Sequence, residues 1–179
     1  VIERLSRRTS ASVLVVPEGT IEPPRHVIAA VDESRAAAGV VRIARQLARL
    51  NRCPITLLHV RSPAIGEYDR VIQSGRNMLT GARKGRVTPR SASWTGRETR
   101  IPRWIEALAV TAGEPGAAHV RVVVGDPARE IAAFAFAGGA PLLVVGKRGA
   151  DGAPTGSLGS VARELLTRAP LPVLAVSDV

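Results

Sequence analysis

The sequence is poor in cysteine and aromatic residues and has no long apolar run. Cys53 is the only cysteine among 179 residues, which excludes an internal disulfide framework and any cysteine-rich metal site. Aromatic residues make up 3% of the chain, so its core must be built from Val, Leu, Ile and Ala. No apolar run approaches the roughly 18 residues of a membrane-spanning helix, and no basic-then-apolar leader opens the chain. We therefore expect a cytoplasmic protein without membrane contact.

The net charge of +10 is concentrated in one segment. Residues 70–103 contain nine basic residues against one acid, Glu98, and supply +8 of that charge. Trp94 and Trp104 flank part of this stretch, and aromatic rings interleaved with Arg can stack on bases. A nucleic-acid-binding module therefore stays open as an alternative function. A solvated basic insertion anchored by one Trp is the simpler interpretation, so nucleic acid is not the expected partner.

Apolar runs and helical patterns alternate along a chain that has the length of one domain. The runs lack in/out alternation, which is typical of parallel strands covered on both faces. We predict an α/β fold, an open doubly wound five-stranded parallel sheet of the Rossmann or flavodoxin kind. Ser34 is the predicted N-cap of the first long helix, and residues 61–100 show little periodicity. The predicted strands are residues 26–31, 55–60, 119–124, 142–145 and 171–176, and the predicted helices are residues 35–51, 103–111, 127–137 and 161–168.

The start of the chain resembles its end. Residues 1–8 have helical spacing and residues 12–16 form a short β-rich run, which together are an extra helix–strand piece. At an offset of 160 residues Val13 coincides with Val173 and Leu14 with Leu174. We interpret residues 1–17 as the tail of a preceding copy of the domain, residues 18–24 as a linker and residues 25–179 as the domain itself. The alternative is that any helix–strand ending looks alike.

A glycine-rich loop follows the fourth predicted strand. It reads Gly146-Lys147-Arg148-Gly149, then nine residues, then Gly159-Ser160 at the start of a helix. Glycines let backbone amides approach an anion, and a helix N-terminus favours negative charge. The amides of Gly159, Ser160 and Val161, with the cationic Lys147 and Arg148, therefore predict a phosphate site. The alternative is a surface loop in which Ser160 only caps its helix.

Asp32 directly follows the first predicted strand. In open α/β sheets ligands bind at the carboxyl ends of the strands, where the strand order reverses. If the first and fourth strands are neighbours there, the Asp32 carboxylate faces the glycine loop across the crevice. It could then accept hydrogen bonds from ribose hydroxyls or hold Mg²⁺ between phosphates. A simple turn or cap residue is the alternative.

Residues 24–179 resemble the universal stress protein family, in particular the subgroup that binds ATP. The resemblance rests on HVIAAVDES at the first strand, ITLLHV at the second, VVVGDPAREI at the third, and LLVVGKRGADGAPTGSLGSVARELLTRAPLPVLAV at the end. The spacing G-x2-G-x9-G-S in the last piece is the specific feature. The stretch 61–117 matches weakly. The resemblance implies an ATP-binding regulator of stress response, within a tandem protein.

The family resemblance also implies a sheet order of 3-2-1-4-5, with ATP over the first and fourth strands. By position, Ala30 and Asp32 would meet the adenosine, and Val60 would present its backbone to adenine. The fifth strands of two copies pair in this family, so residues 13–16 would lie antiparallel to residues 173–176. The remaining implied contacts are Val145 and Gly146 along the nucleotide, and Arg148, Gly149, Gly159, Ser160 and Val161 at the phosphates.

Hydrolysis of a bound ATP would need a positioned water as well as phosphate-binding groups. Asp126 and Asp151 are the nearby candidates for that role, and Asp126 is more simply the N-cap of the helix that starts at Pro127. We therefore expect a nucleotide binder, with slow ATP hydrolysis as an open alternative. The three histidines have no metal-ligand spacing, and packing is their expected role.

Overall fold

The structure, a computed structural model, describes residues 4, 9–20, 22–62, 97–111, 118–139, 141–149 and 158–177. These residues form one seven-stranded sheet with helices against both faces. None of the described helices is long and apolar enough to cross a membrane. The elements in chain order are β1 (Val13–Val15), β2 (His26–Ala30), α1 (Ala37–Asn51), β3 (Ile55–Arg61), β4 (Arg97–Glu98), α2 (Arg103–Thr111), β5 (Ala118–Val124), α3 (Pro127–Ala137), β6 (Pro141–Gly146), α4 (Ser160–Arg168) and β7 (Val173–Val176).

The strand order is β1-β7-β6-β2-β3-β5-β4. The five strands from β7 to β5 are parallel, which confirms the predicted order 3-2-1-4-5. At the end of β2, Ala30 lies between Leu58 of β3 and Val145 of β6. The order of the strands reverses at this point, and two neighbouring carboxyl ends form a crevice there.

Each face of the sheet has its own apolar core, because successive side chains of a strand point to opposite faces. Val27 and Ala29 of β2 pack on the side of α1 and α2. Ile28 of the same strand packs on the side of α3 and α4. Both faces are covered, which is why these strands appear as unbroken apolar runs in the sequence.

The predicted helices are close to the observed ones, except at the start of α1. The bounds of α2 and α3 agree with the prediction, and Asp126 caps α3 by accepting a hydrogen bond from the Arg129 amide at 3.0 Å. The prediction that Ser34 caps α1 is wrong. Its amide donates to Asp32 Oδ1 at 3.0 Å, which keeps the chain in a turn, and the helix begins at Ala37 without a side-chain cap.

The strand β1 pairs antiparallel with β7, as the family resemblance implied. Val13 lies opposite Ala175, Leu14 opposite Leu174, and Val15 opposite Val173. The other edge of the sheet carries β4, a two-residue antiparallel strand that the sequence did not predict. Several predictions fall outside the described residues. They concern most of the basic segment, Trp94, and all but one residue of the helix predicted for residues 1–8.

Candidate functional site

A cavity of about 550 Å³ lies where β2 and β6 end. Its volume is within the range of about 300–1,000 Å³ that small-molecule sites occupy. All ten residues that the resemblance pointed to line this one cavity, so the structure brings the predicted set together. Their roles toward a ligand stay predictions. They are Ala30, Asp32, Val60, Val145, Gly146, Arg148, Gly149, Gly159, Ser160 and Val161.

The Asp32 carboxylate faces the glycine loop across the crevice. Its Oδ1 accepts the hydrogen bond from the Ser34 amide, which fixes the side chain at the end of β2. A Cβ placed on Gly149 would come 2.7 Å from Asp32 Oδ2. Only a residue without a side chain fits there unless the carboxylate moves, so Gly149 permits the close approach between the loop and Asp32.

The two ends of the glycine loop are joined by a backbone hydrogen bond. The Gly159 amide donates to the Lys147 carbonyl at 2.8 Å, and a Cβ on Gly159 would lie 3.4 Å from the Gly149 nitrogen. The Gly159 amide is therefore already used, and the expectation that it faces phosphate is wrong. The first bond of α4 runs from Arg163 to the Gly159 carbonyl, so Ser160 and Val161 have no acceptor within the helix for their amides.

Lys147 is not part of the cavity, which corrects the expectation that it adds charge there. Its side chain is buried, with 6% of the residue exposed. Its Nζ donates to the carbonyls of Thr9 at 2.9 Å and Ala11 at 2.5 Å, just before β1. Burial, and to a smaller extent the charge of Arg148, lowers the pKa of Lys147. Arg148 alone brings a cation from this turn to the cavity.

Sequence reasoning missed several residues of the cavity wall. Arg163 lies one turn after Ser160 in α4, a spacing that could have identified it. Ser34 also lines the cavity, and its buried Oγ has no hydrogen-bond partner among the described residues. The apolar wall had no signal of its own, because its members are indistinguishable in the sequence from other core residues. It includes Val31, Val40, Ile131 and Leu158.

Two of the three histidines, His26 and His59, have structural contacts, as expected. His26 Nε2 is 2.9 Å from Thr56 Oγ1, and His59 Nδ1 is 2.9 Å from the Val31 carbonyl oxygen. The His59 ring also packs edge-on against Trp104, with 5.0 Å between the ring centroids. Within the described ranges, no group of three or more His, Cys, Asp and Glu could hold a metal ion. Asp151 lies outside those ranges.

Comparison with known proteins gives a family for the chain and several structural neighbours. The family model of the universal stress protein family matches residues 24–177. A universal stress protein from Archaeoglobus fulgidus has 28% identity and a TM-score of 0.51, with 87% of this chain and 99% of that chain covered. A second universal stress protein from Archaeoglobus fulgidus has 18% identity and a TM-score of 0.61. That match covers 99% of this chain but only 55% of that chain.

A third structure is a universal stress protein in complex with cAMP. It has 20% identity and a TM-score of 0.51, and the match covers 87% of this chain and 98% of that chain. No curated protein sequence matches the chain. The family match extends from the linker before β2 to the residue after β7, and so includes every element that surrounds the cavity. The chain therefore belongs to the universal stress protein family.

Proposed function

We propose that this chain binds ATP in the cavity between β2 and β6 and acts as a nucleotide-dependent regulator in stress response. One observation carries the proposal. Ser160 and Val161, whose amides have no acceptor within α4, line the same cavity as Arg148 and Asp32. Open amides and the helix dipole favour a phosphate group, while a carboxylate accepts hydrogen bonds from ribose hydroxyls. Both ends of a nucleotide thus have chemically suitable neighbours.

The rest of the cavity suits the base and a magnesium ion. The wall contains Val60 and Ile131, whose apolar side chains can contact an adenine ring. Asp32 is the one carboxylate among the described lining residues. Magnesium is commonly held by one or two carboxylates together with the phosphates of its ligand and water, so Asp32 is the residue that would hold it.

Binding, rather than rapid hydrolysis, is proposed because Asp32 is the one carboxylate among the described lining residues. Asp32 accepts a hydrogen bond from the Ser34 amide, and Asp126 caps α3. With Asp32 assigned to the ribose or to magnesium and Asp126 to the helix cap, neither carboxylate is assigned as a base for an attacking water. The structural relative in complex with cAMP supports an adenine nucleotide as the ligand class. Titrating ATP and cAMP in parallel distinguishes the triphosphate from the cyclic monophosphate.

The variant Gly159→Asp tests the proposal. Gly159 is the N-cap of α4 in extended conformation, and a Cβ there meets nothing closer than 3.4 Å. Aspartate is a favourable N-cap residue, so the variant should fold at least as stably as the wild type. Its carboxylate would occupy the amides of α4 and repel phosphates. We therefore expect calorimetry to show ATP binding by the wild type and none by Gly159→Asp.

The matched control is Ala107→Asp, which adds the same charge on an exposed residue of α2. It should leave the ATP affinity unchanged. Each titration is repeated with EDTA, and we expect weaker binding without magnesium. Unchanged ATP affinity in a folded Gly159→Asp variant would contradict the proposed site.

We further propose that residues 1–17 are the end of a preceding copy of the domain. The pairing of β1 with β7 supports this. At the offset of 160 residues, Leu14 corresponds to Leu174, and these two residues lie opposite each other. Val13 corresponds to Val173, which lies opposite Val15. The register is therefore its own two-fold image, as expected when equivalent strands of two copies pair. The match of the whole chain to about half of a longer relative also supports it.

A further inference from the structure

We propose that Lys147 couples the nucleotide cavity to the docking of β1, so that a bound nucleotide tightens β1 on the sheet. This inference rests on the proposed function, because it assumes that the cavity takes a nucleotide. It assigns Lys147 the role of a positioning residue, which acts on the ligand through the loop and does not contact it.

The backbone of Lys147 joins two parts of the site. Its amide donates to the Val176 carbonyl at 2.8 Å, which ties the residue to the end of β7. Its carbonyl accepts from the Gly159 amide at 2.8 Å, which closes the glycine loop in front of α4. The neighbours of Lys147 on both sides, Gly146 and Arg148, line the cavity. A shift of Lys147 therefore moves the amides and the cation that would face phosphate.

The side chain of Lys147 connects the same turn to the segment before β1. Its Nζ holds the carbonyls of Thr9 and Ala11, which are more than 130 residues away in the sequence. The Ala11 amide in turn donates to Thr9 Oγ1 at 3.1 Å, so the two carbonyls belong to one ordered turn. If the buried ammonium lost these two acceptors, the free-energy cost of removing its charge from water would no longer be offset by their hydrogen bonds. The contact is therefore energetically important.

Charge gives the coupling its direction. Burial, and to a smaller extent the charge of the adjacent Arg148, disfavours the charged form of the Lys147 ammonium. Phosphates bound next to Arg148 would offset that repulsion and strengthen the hydrogen bonds from Nζ to the carbonyls. The bound ligand would also fix the turn from which the side chain starts. Linkage makes the effect reciprocal, so docking of β1 favours nucleotide binding by the same factor.

Hydrogen exchange of the β1 amides, with and without ATP, tests the coupling in the intact chain. In the wild type we expect ATP to slow exchange in β1 by at least about fivefold, the lower end of typical coupling between sites. In Lys147→Met, which has a side chain of similar length without a donor, β1 should exchange faster. Its exchange should no longer respond to saturating ATP, and ATP affinity should fall by the same factor.

The control is Ser12→Ala. The Ser12 hydroxyl accepts from the Ser177 amide at 3.2 Å, so its loss loosens β1 while leaving Lys147 in place. This variant should exchange faster in β1 and still respond to ATP. A Lys147→Met variant that keeps the full ATP effect would overturn the coupling.

The wild-type measurement decides the question even if Lys147→Met does not fold. ATP binding without any change in β1 exchange overturns the coupling and leaves the proposed function intact. A wild type that binds no ATP overturns both.

Discussion

The contact between Gly149 and Asp32 leaves no room for a methyl group. A Cβ on Gly149 would lie 2.7 Å from Asp32 Oδ2, so Gly149→Ala must displace the carboxylate. A hydrogen bond to a charged group contributes about 1.5–3 kcal/mol, so we expect the Kd for ATP to rise about tenfold or more. Calorimetry measures this change.

The matched control is Gly39→Ala in α1. A Cβ on Gly39 meets nothing within 4 Å, and Gly39 does not line the cavity. Replacing a helical glycine by alanine should raise the free energy of unfolding by up to about 1 kcal/mol and leave the ATP affinity unchanged. Equal affinities of the two variants would show that the carboxylate of Asp32 does not contribute to binding.

His26 makes stability depend on pH. Burial, followed by the charge of His119, lowers its pKa in the folded protein below the usual value of 6.5. As the pH falls below 6.5, His26 is protonated in the unfolded chain before it is protonated in the folded protein. The folded state therefore loses stability until the pH has fallen below the lower pKa that His26 has in the folded protein. Urea unfolding at pH 7.5 and at pH 5 measures this loss, since these values lie roughly one unit or more to either side of a histidine's ordinary pKa. The free energy of unfolding should be lower at the lower pH.

Two variants identify the source of that loss. His26→Gln removes the titrating group and should flatten the pH dependence of the unfolding free energy. His119→Gln should retain most of it, because burial is the larger cause of the lowered pKa of His26. An unchanged pH dependence in His26→Gln would assign the effect to other groups.

At the scale of single elements, α3 begins with a cap that can be removed. Asp126 accepts the Arg129 amide and precedes a proline in the first turn. Asp126→Ala should reduce the free energy of unfolding by about 1 kcal/mol, while Asp126→Asn retains an acceptor and should be nearly neutral. Thermal unfolding measures both. Equal losses in the two variants would mean that charge, rather than capping, stabilises this helix end.

The sequence predicted the five parallel strands and most helices because their signals are strong and local. Unbroken apolar runs mark strands such as β2 and β6, and Pro127 with Gly138 marks the ends of α3. It did not predict β4, because two residues carry no periodicity. The start of α1 was also misjudged, since the Asp32 carboxylate accepts from the Ser34 amide and holds this part of the chain in a turn before the helix begins at Ala37.

The candidate site was predictable as a set of positions but not in its orientations. Strand ends and glycine spacing were enough to place Asp32 and Gly149 in one crevice. The direction of the Lys147 side chain was not predictable, because the residue lies in the bend after β6, where strand alternation no longer applies. Its partners, Thr9 and Ala11, are distant in the sequence and offer only backbone carbonyls, which leave no pattern in the residue types.

At the scale of the whole molecule, β1 covers an edge of the sheet that is suited to pairing with a copy of itself. Leu14 and Leu174 lie at the centre of a two-fold register. Removal of residues 1–17 should therefore expose β7 and cause residues 18–179 to form a dimer through it. Sedimentation equilibrium measures the mass. A truncated chain that folds and stays monomeric would contradict the proposed relation between β1 and β7.

The far edge of the sheet ends differently, and this limits how large an assembly can become. The short strand β4 covers Val123 and Val124 of β5, and the Thr99 amide extends the cover by donating to the Val122 carbonyl. The exposed charge of Arg121 lies beside the remaining stretch. Bare backbone on that side is thus a poor template for another chain. Growth by strand addition should therefore stop at a closed pair and not continue into fibres.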